Sequence, residues 1–173
     1  MDHRDVLRDA AQRHPETARL VLAGIDPATA ATMPGGTANS IAWLVWHAGR
    51  QMDVQTAALS GAPTVWEAGG WARHLGVDKG ADDFGFGDSP ADVAALHVAD
   101  PAALADHLAA CVAAFVAYVD GLSASDLDEV VDRAWDPPVT RGVRLVSIIA
   151  DATAHLAQAQ YARGLLDGWS YGL

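Results

Sequence analysis

Apolar residues recur at intervals of three and four along four long stretches of the chain. This spacing is typical of amphipathic α-helices, each of which buries one face. A capping residue opens the second stretch, an Asp-Pro pair opens the third, and a glycine closes the fourth. The predicted helices run from Asp2 to Gly24, from a cap at Asn39 or Ser40 to Ser60, from Asp100-Pro101 to Gly121, and from Val143 to Asp167 with Gly168 as its C-cap.

The connections between these helices are predicted from their glycine, proline and aromatic content. Residues 61–88 are predicted to form an ordered loop with at most one short helix, near Trp71 to Leu75. Another short helix opens at Ser89-Pro90, because proline suits the first helical turn. Residues 129–141 contain two valines and a Trp-Asp-Pro-Pro turn, which predicts an extended excursion. With no repeat and no linker, the chain is predicted to be one all-α domain over residues 1–173, an up-down four-helix bundle.

The composition limits which kinds of partner, and which cellular compartment, we expect for this chain. The 173 residues are 51% hydrophobic, and the net charge is −11. Because lysine and arginine do not cluster, we expect no nucleic-acid partner and no attraction to anionic membranes. The N-terminus lacks the apolar run of a signal peptide, and Asp and His interrupt the apolar stretches, so we predict no membrane span. Cys111 is the only cysteine, so no intramolecular disulfide is possible, which favours a reducing cytoplasm. Cys111 itself is predicted to be a small buried hydrophobe.

The fourth predicted helix carries a carboxylate and an imidazole in its apolar part. Asp151 and His155 are four residues apart, and this spacing places both on one face of a helix. A buried carboxylate needs a partner. One interpretation is a divalent metal whose third ligand is His47, beside the inward face of the second helix. Two histidines and one carboxylate suit zinc, nickel or iron(II) and leave positions for water or substrate. The other interpretation is a local hydrogen bond between Asp151 and His155 at the bundle edge.

Several polar residues have weaker assignments. Gln51 and Gln158 lie within one turn of the candidate ligands and are candidates to orient the imidazoles, although ordinary boundary positions fit them equally. Arg141 and Arg144 fit either an anionic substrate or surface salt bridges, and we favour the salt bridges. Loop residue His74 is a candidate for a pocket mouth. The tryptophans are predicted to pack in the core and in part to wall a cavity: Trp43, Trp46, Trp66, Trp71 and Trp135. Four histidines in polar settings are assigned no role: His3, His14, His97 and His107.

Four short motifs, in this order, resemble the DinB/YfiT-like metalloenzyme family, and most of all its mycothiol-dependent maleylpyruvate isomerase-like branch. They are I-A-W-L-V-W-H-A at 41–48, G-G-W at 69–71, W-D-P-P-V-T-R-G-V-R-L-V-S at 135–147 and D-A-T-A-H-L-A-Q-A-Q-Y-A-R-G at 151–164. The resemblance implies a four-helix bundle with a divalent metal in its core. It places His47 at the family's histidine of the second helix, and Asp151 and His155 at the ligand pair of the last helix.

One departure from the family pattern concerns the first residue of that pair. The family has histidine or glutamate there, whereas this chain has Asp151. Aspartate is one methylene shorter than glutamate, so we expect the metal to lie closer to the last helix or to bind more weakly.

The resemblance also implies an activity and partners. We expect a metal-dependent enzyme that acts on a small molecule with a low-molecular-weight thiol such as mycothiol, as a thiol transferase or an isomerase. Zinc is the favoured metal, and a homodimer is expected. Metal-dependent hydrolysis is the alternative chemistry, and a non-catalytic bundle that binds a ligand or dimerises is the alternative class. No Ser-His-Asp order, phosphate-binding loop or dinucleotide fingerprint occurs in the chain.

Overall fold

The computed structural model describes residues 1–171 and confirms the all-α fold. Two 3-10 turns, Pro34–Gly36 and Ser125–Asp128, and a small hairpin of β1 (Val130–Asp132) and β2 (Val139–Thr140) complete the described elements. The helices are α1 (His3–Leu22), α2 (Pro27–Ala31), α3 (Ile41–Ser60), α4 (Val65–Ala68), α5 (Trp71–Leu75), α6 (Pro90–Ala95), α7 (Ala102–Asp120) and α8 (Arg141–Asp167).

The four long helices pack as a bundle around one apolar core. Both α1 and α3 pack against α7 and against α8, so α1 and α3 face each other across the bundle. The long connection that contains α2 lets the chain cross from α1 to α3. Helix α3 is the most deeply placed, because every residue from Ile41 to Asp53 is buried. The polar residues of α3 are therefore held among packed side chains.

Side-chain caps fix where the two helices of the candidate site begin. The Ser40 hydroxyl accepts from the backbone N–H of Trp43, which confirms Ser40 as the cap of α3. Thr140 caps α8 in the same way through Val143, so α8 begins at Arg141, two residues before the predicted start. Helix α8 ends at Gly168, whose φ of 75° is the left-handed conformation that glycine adopts without strain.

Two other local predictions differ from the structure. The segment 61–88 holds two short helices, α4 and α5, where at most one was expected. Thr64 starts α4 by accepting from the backbone N–H of Glu67, a capping signal that the glycine content of the segment obscured. Trp135 was expected in the core but is 66% exposed, because it lies in the turn of the hairpin.

Helix α7 is, by length and composition alone, apolar enough to cross a membrane. In the structure it packs against both α1 and α3. Its buried residues include Leu104, Leu108 and Phe115, which belong to the core of the bundle. The apolar character of α7 is therefore accounted for by its place inside the bundle.

Candidate metal centre

His47, Asp151 and His155 converge in the structure. One ligand atom from each lies within 4.8 Å of the other two. His47 Nε2 is 3.6 Å from Asp151 Oδ2, and His155 Nε2 is 3.6 Å from Asp151 Oδ1. Two ligands at about 2.0–2.1 Å from a tetrahedral ion lie roughly 3.4 Å apart, so these separations are close to those of a metal site.

The register between α3 and α8 brings the three residues together. Asp151 and His155 share one face of α8, and α3 packs beside that face. One turn beyond His47, Gln51 donates to the backbone oxygen of Ile148 at 3.0 Å. This buried bond ties the two helices together next to the site. Gln51 was a candidate to orient an imidazole, but its contact is with the backbone of α8.

Both imidazoles are oriented through their Nδ1 atoms. His47 Nδ1 lies against the backbone oxygen of Phe84, and His155 Nδ1 is 3.0 Å from Gln158 Oε1. Because each partner is an acceptor oxygen, each Nδ1 carries the proton and donates it. The lone pair of each ring is then on Nε2, which faces Asp151. This pattern is the one that ligating histidines show, and it confirms the contact predicted between Gln158 and an imidazole.

The ring of Trp43 holds His47 in place from one side. The two rings are stacked, with centroids 4.7 Å apart and an interplanar angle of 6°. Trp43 Nε1 donates to Asp88 Oδ2 at 2.8 Å, and Asp88 in turn pairs with Lys79 at 3.1 Å. The indole is therefore fixed at both its face and its edge, which restricts rotation of the His47 imidazole.

The loop of residues 77–88 supplies the oxygen of Phe84 that contacts His47 and the carboxylate of Asp88 that contacts Trp43, and Arg50 holds this loop. The Arg50 guanidinium is fully buried and donates to the backbone oxygens of Asp83, Gly80 and Ala81. Sequence reasoning missed Phe84, Asp88 and Arg50 as supports. The Phe84 contact is made by a backbone oxygen, so no side-chain pattern signals it.

The charge of the cluster is set by Asp151. Burial raises the pKa of its carboxyl, but His155 and His47 together outweigh burial and hold that pKa well below its usual value. Conversely, Asp151 raises the pKa of His155 above its ordinary value, against the effect of burial. The carboxylate is therefore ionised at neutral pH. Protons on the two Nε2 atoms have this effect on the carboxyl pKa; once those protons are lost, the anionic oxygen and the two Nε2 lone pairs form a donor set that suits a divalent cation.

The local hydrogen bond that was the alternative interpretation of Asp151 and His155 does not form. Their 3.6 Å separation exceeds hydrogen-bond range. Asp151 Oδ2 is buried and has no hydrogen-bond partner within residues 1–171. A buried carboxylate oxygen without a donor is costly, and a metal ion would remove that cost. The three residues thus fit the metal interpretation better than the edge hydrogen bond.

A second cluster of similar composition lies deeper, at Asp53, His107 and Cys111. The carboxylate of Asp53 already accepts from the backbone N–H groups of Val65 and Trp66, at 2.7 and 2.9 Å, and from the Arg50 guanidinium. An adjacent guanidinium disfavours a second cation, and all three residues are buried. This cluster fixes the start of α4 and does not resemble a metal site.

Two histidines that were assigned polar settings are buried. His107 is fully buried, and burial lowers its pKa to about 3. His14 is 3% exposed, and burial lowers its pKa to about 4. The assignment was wrong because it used sequence neighbours such as Asp106. The helical spacing of His107 with Leu104, Leu108 and Cys111 is the signal that places it on the inner face.

The remaining candidates lie away from the cluster. Arg144 pairs with Asp132 at 2.7 Å, and Arg141 pairs with Glu129. These contacts support the salt-bridge interpretation of both arginines. His74 is exposed and packs against the Trp71 ring, with centroids 5.5 Å apart.

A helical bundle with a candidate three-residue metal cluster between two of its helices defines the class of this protein. The chain belongs to the DinB superfamily, whose family model matches residues 10–159. Metal binding is frequent in this superfamily. The family predicted from the four short motifs is therefore confirmed at the level of the superfamily.

A solved structure is similar over almost the whole chain. It is the crystal structure of a conserved protein from Enterococcus faecalis, which is 36% identical with a TM-score of 0.90. The similarity covers 98% of this chain and 99% of that chain. A search of curated proteins gave no match. These comparisons establish the superfamily and the fold and do not distinguish the mycothiol-dependent branch.

Proposed function

We propose that this protein is a divalent-metal-dependent enzyme whose metal ligands are His47, Asp151 and His155. The observation that carries the proposal is the unpartnered Oδ2 of Asp151, which lies beside two Nε2 atoms freed by their Nδ1 contacts. Zinc is the favoured metal, because it takes mixed nitrogen and carboxylate ligands and keeps a position open in catalytic sites.

The residues around the cluster orient the two imidazoles that we propose as ligands. Phe84 and Gln158 hold each imidazole with its Nε2 toward the carboxylate, and Trp43 fixes the plane of His47. The side chain of Asp151 is 39% exposed, so a small molecule can approach the cluster from solvent. When bound there, a divalent metal would lower the pKa of a thiol or of water and supply a nucleophile near neutral pH.

The chemistry that we propose is transfer of a low-molecular-weight thiol such as mycothiol to an electrophile, or thiol-assisted isomerisation. This choice rests on the resemblance of the four motifs to the mycothiol-dependent branch. Hydrolysis by an activated water is the alternative outcome. A cytoplasmic location and a homodimer remain predictions that accompany this proposal.

The first experiment measures metal in the protein purified without an affinity tag. We expect about one zinc per chain after removal of metal with a chelator and reconstitution. His155→Ala should lose most of this zinc, whereas His97→Ala should keep it, because His97 is exposed and lies in a different surface depression, with Leu75 and Gly76. Equal zinc content in the two variants would contradict the ligand assignment.

The second experiment separates the chemistries in the zinc-loaded protein. Loss of free mycothiol in the presence of maleylpyruvate or a haloalkane electrophile indicates transfer, and formation of the isomer without loss of thiol indicates isomerisation. Turnover of ester substrates without thiol indicates hydrolysis. A chain that is equally folded without metal, and inactive in all assays, would be a non-catalytic bundle.

A further inference from the structure

A groove lies between α8 and the segment from Pro34 to Leu44, which leads into α3, and it adjoins the candidate metal cluster. We name it the α8 groove. Its volume is about 440 Å³, within the range of small-molecule sites. Its lining includes Leu44, Ala154, Ala157, Gln158, Tyr161 and Leu165.

The α8 groove is continuous with the metal cluster through two residues. Gln158 lines the groove and also contacts His155 Nδ1 at 3.0 Å. Leu44 lies one helical turn before His47 on α3. The groove therefore adjoins the cluster, and a molecule whose reacting end is at the cluster would have the groove beside it for its other end.

The chemistry of the groove selects an uncharged occupant. Among residues 1–171 no charged side chain lines it, although the whole chain has a net charge of −11. Three alanines form much of its surface on α8, and the polar lining is limited to neutral groups such as the Gln158 amide. Such a lining disfavours a charged group, which would lose its hydration without gaining a partner.

The exposed apolar residues at the rim support the same conclusion. Tyr161 is 72% exposed and Leu165 is 61% exposed, on the face of α8 that continues from the cluster. Neighbouring large apolar side chains that remain in water are a feature of ligand-binding grooves when they form a contiguous patch. Here they border a concave site, which suits a small ligand better than a flat contact.

We propose that the α8 groove binds an uncharged apolar part, an alkyl chain or an aryl ring, of the molecule that reacts at the metal cluster. This inference rests on the proposed metal-dependent function. It names the class of substrate as one with a metal-seeking or electrophilic end and an apolar tail.

Straight-chain alkyl hydroxamates test the proposal, because the hydroxamate binds zinc and the tail length can be varied alone. Calorimetry on the zinc-loaded protein compares acetohydroxamate with the butano-, hexano- and octano- compounds. We expect affinity to rise roughly threefold to fourfold per added methylene until the groove is filled. Affinity that does not depend on tail length would overturn the proposal.

Two matched variants locate the effect. Ala157→Trp fills the groove, and we expect it to abolish the dependence of affinity on tail length. Ala150→Trp places the same bulk on exposed α8 surface on the other side of Asp151, outside the groove lining, and should keep the dependence. Loss of the dependence in both variants, or in neither, would place the tail elsewhere.

A metal-free experiment separates this inference from the proposed function. Octanamide, which lacks a strong metal ligand, should shift the NMR methyl signals of Ala157 and Leu165 in chelator-treated protein. If the chain binds no zinc but octanamide shifts these signals, the function fails and the groove stands. If it binds zinc and octanamide leaves them unchanged, the groove proposal fails. Sedimentation showing a dimer that Ala157→Trp dissociates would make a second copy the occupant and overturn the proposal.

Discussion

Removal of the buried imidazole of His14 should reduce the sensitivity of the fold to acid. His14 Nε2 is 3.0 Å from Thr153 Oγ1, and the hydroxyl of Thr153 donates to the backbone oxygen of Ile149. Thr153 therefore accepts a hydrogen bond from Nε2–H of His14. His14 Nδ1 is buried and has no partner within residues 1–171. Protonation would place an unpaired N–H and a charge in the core, which is why burial lowers the pKa to about 4.

The magnitude follows from the difference between the folded and unfolded pKa values. The unfolded chain binds this proton near pH 6.5, whereas the folded chain binds it near pH 4. Between these values the unfolded state holds more protons, so the free energy of unfolding falls as pH falls from about 6.5 to about 4. At pH 5 the loss from His14 is about 2 kcal/mol relative to pH 7.5. Below pH 4 both states are protonated, and the loss stops growing.

The test is urea unfolding of the wild type and His14→Leu at pH 7.5 and pH 5, with chelator present so that metal release does not contribute. Leucine has a similar volume and does not titrate. Wild type should lose about 2 kcal/mol more than His14→Leu between the two pH values, with equal m-values. If both proteins lose the same free energy, the buried neutral imidazole is not the cause of acid sensitivity.

Three further predictions concern the metal cluster. Gln158→Leu should weaken zinc binding roughly 10- to 100-fold, because His155 loses the acceptor at its Nδ1. Gln160→Leu on the same helix should leave zinc affinity unchanged, because Gln160 contacts Tyr171 instead. A competitive chelator assay measures both variants, and equal affinities would refute the role of Gln158. Asp151→Asn should weaken zinc binding more than Gln158→Leu in the same assay, because the anionic ligand is lost; unchanged affinity would exclude Asp151 as a ligand. Zinc occupancy after dialysis should be lower at pH 5 than at pH 7.5. Asp151 raises the pKa of His155, so protons compete with zinc for its Nε2 as the pH falls. Equal occupancy at the two pH values would show that the histidines do not control zinc binding.

Helical periodicity was sufficient to predict the long helices and the shared face of Asp151 and His155, whereas the choice of a metal site with His47 drew on the family resemblance as well. Spacing of four residues places Asp151 and His155 on one face whatever the rest of the fold does. It could not predict the oxygen that orients His47, because the backbone of Phe84 is placed by a loop that the buried Arg50 holds. Loop conformation depends on such long-range hydrogen bonds, which leave no periodic signal in the chain.

The α8 groove could not be predicted from the sequence, for a different reason. Alanines at 154 and 157 fit a helix surface in many settings, and only their place beside Leu44 shows that they line a cavity. The pattern of α8 indicates which residues face inward. It does not indicate where the neighbouring helix leaves space.

Two aspartates with histidine neighbours, one buried and one partly exposed, show that residue type alone does not define a metal site. Asp53 accepts from two backbone N–H groups and from the Arg50 guanidinium, so its charge is already compensated and its lone pairs are engaged. Asp151 has no such donors, and its buried Oδ2 is unpartnered within residues 1–171. A cation bound at Asp53 would have to displace existing bonds and approach a fixed positive charge, whereas one bound at Asp151 would satisfy an oxygen that nothing else satisfies. The difference in free lone pairs therefore favours a structural role for Asp53 and supports the metal-ligand role that we propose for Asp151.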